Sequence, residues 1–96
     1  MARAETIAKI KDNLRITHTA LDNDLGDTID ACLSDLKIVG VKEPSEQDVT
    51  ILAAIKLYCR AAYTDDTEKA DAYMERYDAM KATLMMASGY GGDAGD

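Results

Sequence analysis

His18 is the only histidine of the chain and the first residue to consider for acid–base or nucleophilic chemistry. A serine or cysteine nucleophile needs a base within hydrogen-bond reach, and nothing in the sequence pairs such a residue with His18. It stands in the polar segment Thr17-His18-Thr19, between two stretches of periodic apolar residues. We therefore expect His18 to be a turn or capping residue, and we expect that the protein is not an enzyme.

The two cysteines, Cys32 and Cys59, are the next candidates for chemistry. Each falls on the apolar side of a predicted helix. No CxxC motif and no cluster of cysteine with histidine suggests zinc, and disulfides are rare in a reducing cytosol. We expect two buried free thiols that pack as small apolar side chains, and no metal or other cofactor.

The acidic run from Asp22 to Asp27 superficially resembles a calcium-binding loop. If Gly26 is placed at loop position six, positions one and five fall on Leu21 and Leu25, whose side chains cannot bind calcium. We interpret the run as the solvated face of a helix.

Two other short motifs also give little support for a ligand. The segment Gly89-Tyr90-Gly91-Gly92 precedes no helix, so it is not a phosphate-binding loop. Carrier proteins share an Asp-Ser-Leu at a helix start, whereas Ser34-Asp35-Leu36 comes late in a predicted helix and in another order. The chemistry of the chain therefore lies in its surfaces rather than in a catalytic site.

Length and charge limit the classes of protein that this chain can belong to. Ninety-six residues make one domain. The net charge is −7, from 18 acidic and 11 basic residues, which argues against binding nucleic acid or an anionic membrane by charge alone. No apolar run reaches the ~20 residues that a membrane span needs, and the N-terminus lacks a secretory apolar segment. We expect a cytosolic protein without a membrane partner.

The stretch Val49–Tyr63 is the most apolar part of the sequence. Twelve of its fifteen residues are apolar, interrupted only by Thr50, Lys56 and Arg60. The spacing is that of a helix whose apolar surface covers most of its circumference, with Leu57 on the far side. Such a helix must be covered from several directions, either by other helices of the chain or by other subunits.

Three amphipathic segments surround this central helix in the sequence. They are predicted as helices over residues 3–14, 20–37 and 67–87, each with an apolar stripe at helical spacing. Thr19 with Asp22, and Ser45 with Asp48, resemble capping boxes at the starts of the second and third helices. Gly40 is a natural stop for the second helix.

These segments predict an all-α fold, a small four-helix domain with an unusually apolar third helix. We assign residues 1–88 to the helical domain. Residues 89–96 are Gly-rich and acidic, and we expect them to form a flexible C-terminal tail.

A characteristic order of residues extends along almost the whole chain. It comprises Leu14-Arg15-Ile16, His18, Leu21-Asp22, Ile29-Asp30-Ala31, Gly40-Val41, Ala54-Ile55, Tyr58, Tyr63, Tyr73, Tyr77, Leu84 and Tyr90. In this order and spacing the chain resembles the small head–tail connector proteins of tailed bacteriophages and prophages, often labelled DNA-packaging proteins. The resemblance covers about residues 6–90.

The resemblance implies a structural virion protein that forms a ring beneath the portal and continues the DNA channel from the filled head towards the tail. Its implied partners are copies of itself in a ring matching the twelve-fold portal, the portal protein, and the next neck or stopper protein. Double-stranded DNA would pass without specific binding. Its implied location is the head–tail neck of the virion, after assembly in the host cytoplasm.

The resemblance and the apolar pattern together suggest three sets of residues. Channel-lining acids are expected at Asp24, Asp27 and Asp30, although these could equally meet basic residues of a neighbouring subunit. Portal-docking residues are expected at Leu84, Met85, Met86 and Tyr90. Subunit-interface residues are expected at Ile51, Leu57, Tyr58, Arg3, Lys9 and Lys11.

An alternative reading is a small cytosolic helical adaptor or regulatory module that binds one partner helix in a groove. A concentration-independent monomer with an apolar groove would favour it over a ring-forming connector.

Overall fold

A computed structural model describes the backbone of residues 2–86 and the side chains of residues 3–86. This part of the chain folds into four helices and contains no strand. The helices are α1 (Ala2–Leu14), α2 (Asp22–Ile38), α3 (Val49–Tyr63) and α4 (Thr67–Met86). The expected all-α, four-helix fold is confirmed. The domain boundary placed at residue 88 and the tail over 89–96 lie outside the described residues.

Helix α3 is the element on which the other three helices pack. Its side chains at Ile51, Ala54, Ile55 and Cys59 are almost completely buried. Each other helix contributes its apolar stripe to the same core, which contains Ile10, Leu25, Ile29, Cys32, Leu36, Val41, Ile51, Ala54, Ile55, Cys59, Tyr77 and Leu84. The chain itself therefore covers the broad side of α3.

The capping residues at two helix starts differ from the sequence prediction. Helix α2 begins at Asp22, after Leu21, and no side chain caps it, so the predicted capping role of Thr19 is wrong. Helix α3 is capped by Asp48 rather than Ser45: the Asp48 carboxylate accepts hydrogen bonds from the amides of Thr50 at 2.8 Å and Ile51 at 3.2 Å. An Asp oxygen reaches the second and third amides when it stands at the cap itself, which explains why Asp48 has this role.

Two helices end with a residue in the left-handed backbone region. Gly40 follows α2 with φ +104°, and the Val41 amide donates to the Leu36 carbonyl at 3.0 Å, which confirms Gly40 as the stop. Arg15 has the equivalent position after α1, with φ +62°. The Ile16 amide donates to the Lys11 carbonyl at 2.9 Å, so the two turns share a hydrogen-bond pattern. A non-glycine residue in this region carries a backbone cost, so the turn at Arg15 is the more strained.

Candidate functional site

Two aspartates of α2 form ion pairs with α1. The Arg3 guanidinium bonds to Asp30 at 2.8 Å and to Glu46 at 2.7 Å, and Lys11 Nζ lies 2.9 Å from Asp22. The hydrogen bond from Arg3 lowers the pKa of the Glu46 carboxyl. These contacts fasten α1 to α2 and to the loop before α3.

A third aspartate, Asp35, belongs to a polar cluster between α2 and α4. The Tyr77 hydroxyl donates to Asp35 at 2.7 Å, and Lys81 Nζ donates to the same oxygen at 3.0 Å. Burial alone would raise the pKa of Asp35, but the hydrogen bonds from Tyr77 and Lys81 outweigh it and lower that pKa. The Cys32 thiol faces the Tyr77 hydroxyl at 3.8 Å. The cluster joins two helices whose main packing is on α3 rather than on each other.

Asp24 and Asp27 complete the acidic positions of α2, and they differ in environment. Asp24 accepts a hydrogen bond from the Tyr63 hydroxyl of α3. Burial and this carboxylate together raise the pKa of Tyr63 to about 12. Asp27 is exposed and has no ion pair or hydrogen bond within the described chain. Three acids were expected to line a channel. Asp24 bonds Tyr63 and Asp30 bonds Arg3, so Asp27 is the one of the three whose carboxylate has no partner within the described chain.

A polar cleft of about 490 Å³ lies where the C-termini of α1 and α3 meet the start of α4. Arg60 spans it: Nη1 donates to the Asn13 carbonyl at 3.3 Å, and Nη2 donates to the Tyr73 hydroxyl at 3.1 Å. The guanidinium also stacks 4.9 Å from the centre of the Tyr73 ring. Arg60 thus satisfies a terminal carbonyl of α1, which is a structural role for one of the three basic side chains that line the cleft.

An apolar groove of about 440 Å³ runs between α3 and α4 on the side away from the core. Leu57 and Met80 are its large apolar lining residues, and both are half-buried and pack against the core. The remaining lining residues are Thr50, Arg76, Ala79 and Thr83. Arg76 is exposed and forms no ion pair within the described residues. The groove is thus apolar with a single cationic end.

The four large apolar side chains that are exposed among the described residues are Ile38, Val49, Met85 and Met86. They lie at one end of the molecule. Thr50 and Thr83 line the same groove, so the start of α3 adjoins the end of α4. Asp35 bonds Lys81, so the end of α2 adjoins α4 as well. Exposed apolar side chains at the same end of neighbouring helices are available for contact with a partner.

Two residues expected at surfaces lie in the core instead. Ile51 and Leu84 are each 1 % exposed. In this fold neither side chain is accessible to a neighbouring subunit or to the portal. The reason is the register of each helix: Ile51 faces the same side as Ala54 and Ile55, while Leu84 continues the buried side of Tyr77 at i+7. Met85 and Met86 are exposed, and Tyr90 lies outside the described residues.

The other expected interface residues fall into two groups. Arg3 and Lys11 form the ion pairs within the chain described above, whereas Lys9 is exposed and forms none within the described part. Tyr58 is half-buried, and its ring packs edge-on against Tyr77 with 5.1 Å between centroids. Leu57 lines the apolar groove between α3 and α4.

The candidate chemical residues have structural roles. His18 is exposed, and its Nδ1 accepts from the Ala20 amide at 3.3 Å, as expected for a turn residue. Both cysteines are free and buried; burial raises the pKa of Cys32 to about 11 and of Cys59 to about 12. Within residues 3–86, no group of three or more metal-binding side chains is placed to hold an ion. None of the described helices combines the length and apolarity needed to cross a membrane.

Sequence reasoning did not find Arg76, Ala79 and Thr83 as groove residues. Arg76 is itself a charged residue, and Ala79 and Thr83 are small; none of the three belongs to the apolar stripe of α4. The small side chains at 79 and 83 were the available signal, because they leave the space that Leu57 and Met80 border.

The comparisons with known proteins agree with the earlier resemblance. Residues 7–91 match the profile of a family described as phage connector protein. Neither the curated proteins nor the solved structures include a significant match.

The family match spans most of the 96 residues. The chain belongs to the phage connector protein family, and it is a structural head–tail protein of a bacteriophage. As such it is a component of the virion and associates with other virion proteins such as the portal.

Proposed function

We propose that the protein forms a ring of identical subunits beneath the portal, joins the DNA-filled head to the tail, and continues the DNA channel. The family match over residues 7–91 carries this proposal. The ring would also offer a platform to the next neck protein. The role is assembly, without catalysis and without a cofactor.

The surfaces of the subunit support such an assembly. A ring of identical subunits uses heterologous contacts, so each subunit needs two different patches. The α3–α4 groove and the apolar end with Ile38, Val49 and Met86 offer apolar surface outside the core. The net charge of −7 would repel phosphates, so that DNA passes through without adhering.

The portal is the partner expected to complete the ring. We expect contacts between free subunits to be individually weak. A partner that binds only the assembled form shifts the equilibrium towards it by mass action. We therefore expect monomers or mixed oligomers in dilute solution, and a ring when the portal is present.

Light scattering with and without the cognate portal protein tests this proposal. The expected result is a complex whose mass exceeds that of the portal by several copies of this chain. No complex at micromolar concentrations of both proteins would contradict it.

The α3–α4 groove also favours a second candidate, a helical adaptor that binds one partner helix. It predicts a monomer at all concentrations that takes up a single helix in a one-to-one complex. The same scattering measurement separates the two candidate functions. A one-to-one complex has the mass of one chain and one partner, whereas a ring contains several copies of the chain.

A further inference from the structure

We propose that the α3–α4 groove receives helix α2 of a second copy of this chain. The inference names the contact between neighbours in the proposed ring, and so it rests on that proposed function. It is carried by three properties of the two surfaces: their shape, their charge and their register.

The shape of the outer face of α2 suits insertion into a groove. At 100° per residue, Asp27, Ala31, Ser34 and Ile38 form one stripe along the helix, and all four are exposed. The two central side chains are small, which lets a second pair of helices approach closely. The stripe lies opposite Leu25, Ile29, Cys32 and Leu36, which are buried in the subunit's own core.

The charges of the two surfaces are complementary. Asp27 is the one aspartate of α2 for which the described chain provides no ion pair or hydrogen bond, while Asp22, Asp24, Asp30 and Asp35 all have a partner. Arg76 is the charged residue that lines the groove, and it has no ion pair within the described residues. The contact would thus bring together the Asp27 carboxylate and the Arg76 guanidinium, neither of which has an ion pair within the described residues.

The register of the two surfaces also agrees when Asp27 is set beside Arg76 and α2 runs parallel to the neighbour's α4. A helix rises about 1.5 Å per residue. Ala31 lies four residues after Asp27, and Met80 lies four residues after Arg76, so these two reach the same level. Ser34 and Thr83, each seven residues after the charged residue of their helix, also reach the same level.

The same register brings exposed apolar side chains together at the far end of the contact. Ile38, eleven residues beyond Asp27, reaches the level of Met86, ten residues beyond Arg76. Val49 lies beside Thr50 at this end of the groove. Ile38 and Met86 are 80 % and 86 % exposed in the single subunit, and the contact would remove both from water.

The contact is heterologous because the two surfaces belong to different helices. Helix α2 supplies one surface of a subunit, and α3 with α4 supplies the other, each facing away from the shared core. Repetition of such a contact gives a closed ring or an open filament. Placing α2 at the contact also assigns Asp27 to a neighbour rather than to the channel, which is the alternative that the sequence left open.

A charge-swap experiment tests the contact. Asp27→Arg and Arg76→Asp are prepared separately and together, and assembly is followed by sedimentation velocity, alone and with the cognate portal protein. Each single variant should weaken assembly at least about tenfold, because like charges then face each other. The double variant should restore it to within about threefold of wild type. Asp71→Arg is the control: it makes the same substitution as Asp27→Arg, but at an exposed position of α4 that does not line the groove. This variant should assemble as wild type does.

The outcomes separate this inference from the proposed function. Rescue by the double variant supports the α2–groove contact, because a change in folding alone would not be reversed by a second charge. If the wild type assembles on the portal while the single variants assemble equally well, or if the double variant stays defective, the contact is overturned and the ring stands. If the wild type does not assemble under either condition, the proposed function is overturned together with it.

Discussion

The Tyr77 hydroxyl donates a 2.7 Å hydrogen bond to the Asp35 carboxylate, which links α4 directly to α2. Tyr77 is 1 % exposed, and its ring packs edge-on against Tyr58 of α3. One side chain thus contacts two other helices, in apolar packing and in a charge-assisted hydrogen bond. Similar contacts from Arg3 to Asp30 and from Lys11 to Asp22 bind α1 to α2. Most of the aspartates of α2 therefore bond side chains of other helices and help to hold the helices together.

Tyr77→Phe should lower the free energy of unfolding by about 1–2 kcal/mol. The variant keeps the ring packing but removes a hydroxyl that bonds a charged acceptor, and such bonds are among the stronger ones. Tyr73→Phe is the matched control. The Tyr73 hydroxyl accepts a hydrogen bond from Arg60, but Tyr73 is only half-buried, so water can replace the lost bond and the loss should matter less. Urea denaturation measures both. Equal effects of the two variants would contradict the role assigned to Tyr77.

The stability of the protein should decrease on acidification below about pH 4, in part through Asp35. Its pKa is lowered in the folded state from an ordinary value of 3.8, so the unfolded chain binds this proton more readily. The stabilisation is therefore complete above the ordinary pKa and is lost as the pH falls through the folded value. Asp35→Asn should flatten the pH dependence of unfolding between pH 2 and 5. An unchanged slope in this variant would contradict the prediction.

Arg3→Met should cost about 1–2 kcal/mol of folding stability. The substitution removes two ion pairs and leaves Glu46, whose side chain is 15 % exposed, without its cation. Lys9→Met, on the same helix, removes an exposed lysine that forms no ion pair in the described structure, so it should change stability by less than ~0.5 kcal/mol. Thermal unfolding of both variants measures the difference. Similar losses in the two would show that the Arg3 contacts contribute little.

Two glycine substitutions should change stability in opposite directions. Gly26 lies within α2, and an added Cβ would approach only Arg3 Nη1, at 3.9 Å. Gly26→Ala should therefore stabilise by up to ~1 kcal/mol through helix propensity. Gly40→Ala should destabilise by about 1 kcal/mol, because φ is +104° there. Chemical denaturation gives both values, and a destabilised Gly26→Ala would indicate a close contact at that position.

The sequence predicted the fold well because periodic apolar residues decide which surfaces a helix buries. The helical spacing predicted an apolar stripe on α2 at Leu21, Leu25, Ile29, Cys32 and Leu36. The last four are buried, whereas Leu21, just before the helix, is half-buried. The bounds of α3 agree with the predicted stretch Val49–Tyr63, but its cap was assigned to Ser45 instead of Asp48, since both are good capping residues and only the backbone decides between them.

The surfaces were harder to predict than the core. Sequence periodicity shows that aspartates lie opposite an apolar stripe, but it does not show which distant base meets each one. Asp30 meets Arg3, 27 positions away, whereas Asp27 meets no residue in the described chain. In the same way, Ile51 appeared as surplus apolar surface until the packing of α1, α2 and α4 around α3 placed it in the core.

The central claim is that this chain assembles as a ring on the portal, and an electron cryomicroscopy reconstruction of the chain bound to its cognate portal protein tests it most directly. We predict repeated copies of the four-helix fold in a closed ring coaxial with the portal, with an open central channel. Single copies bound away from the portal axis, or a portal without added density, would contradict the claim.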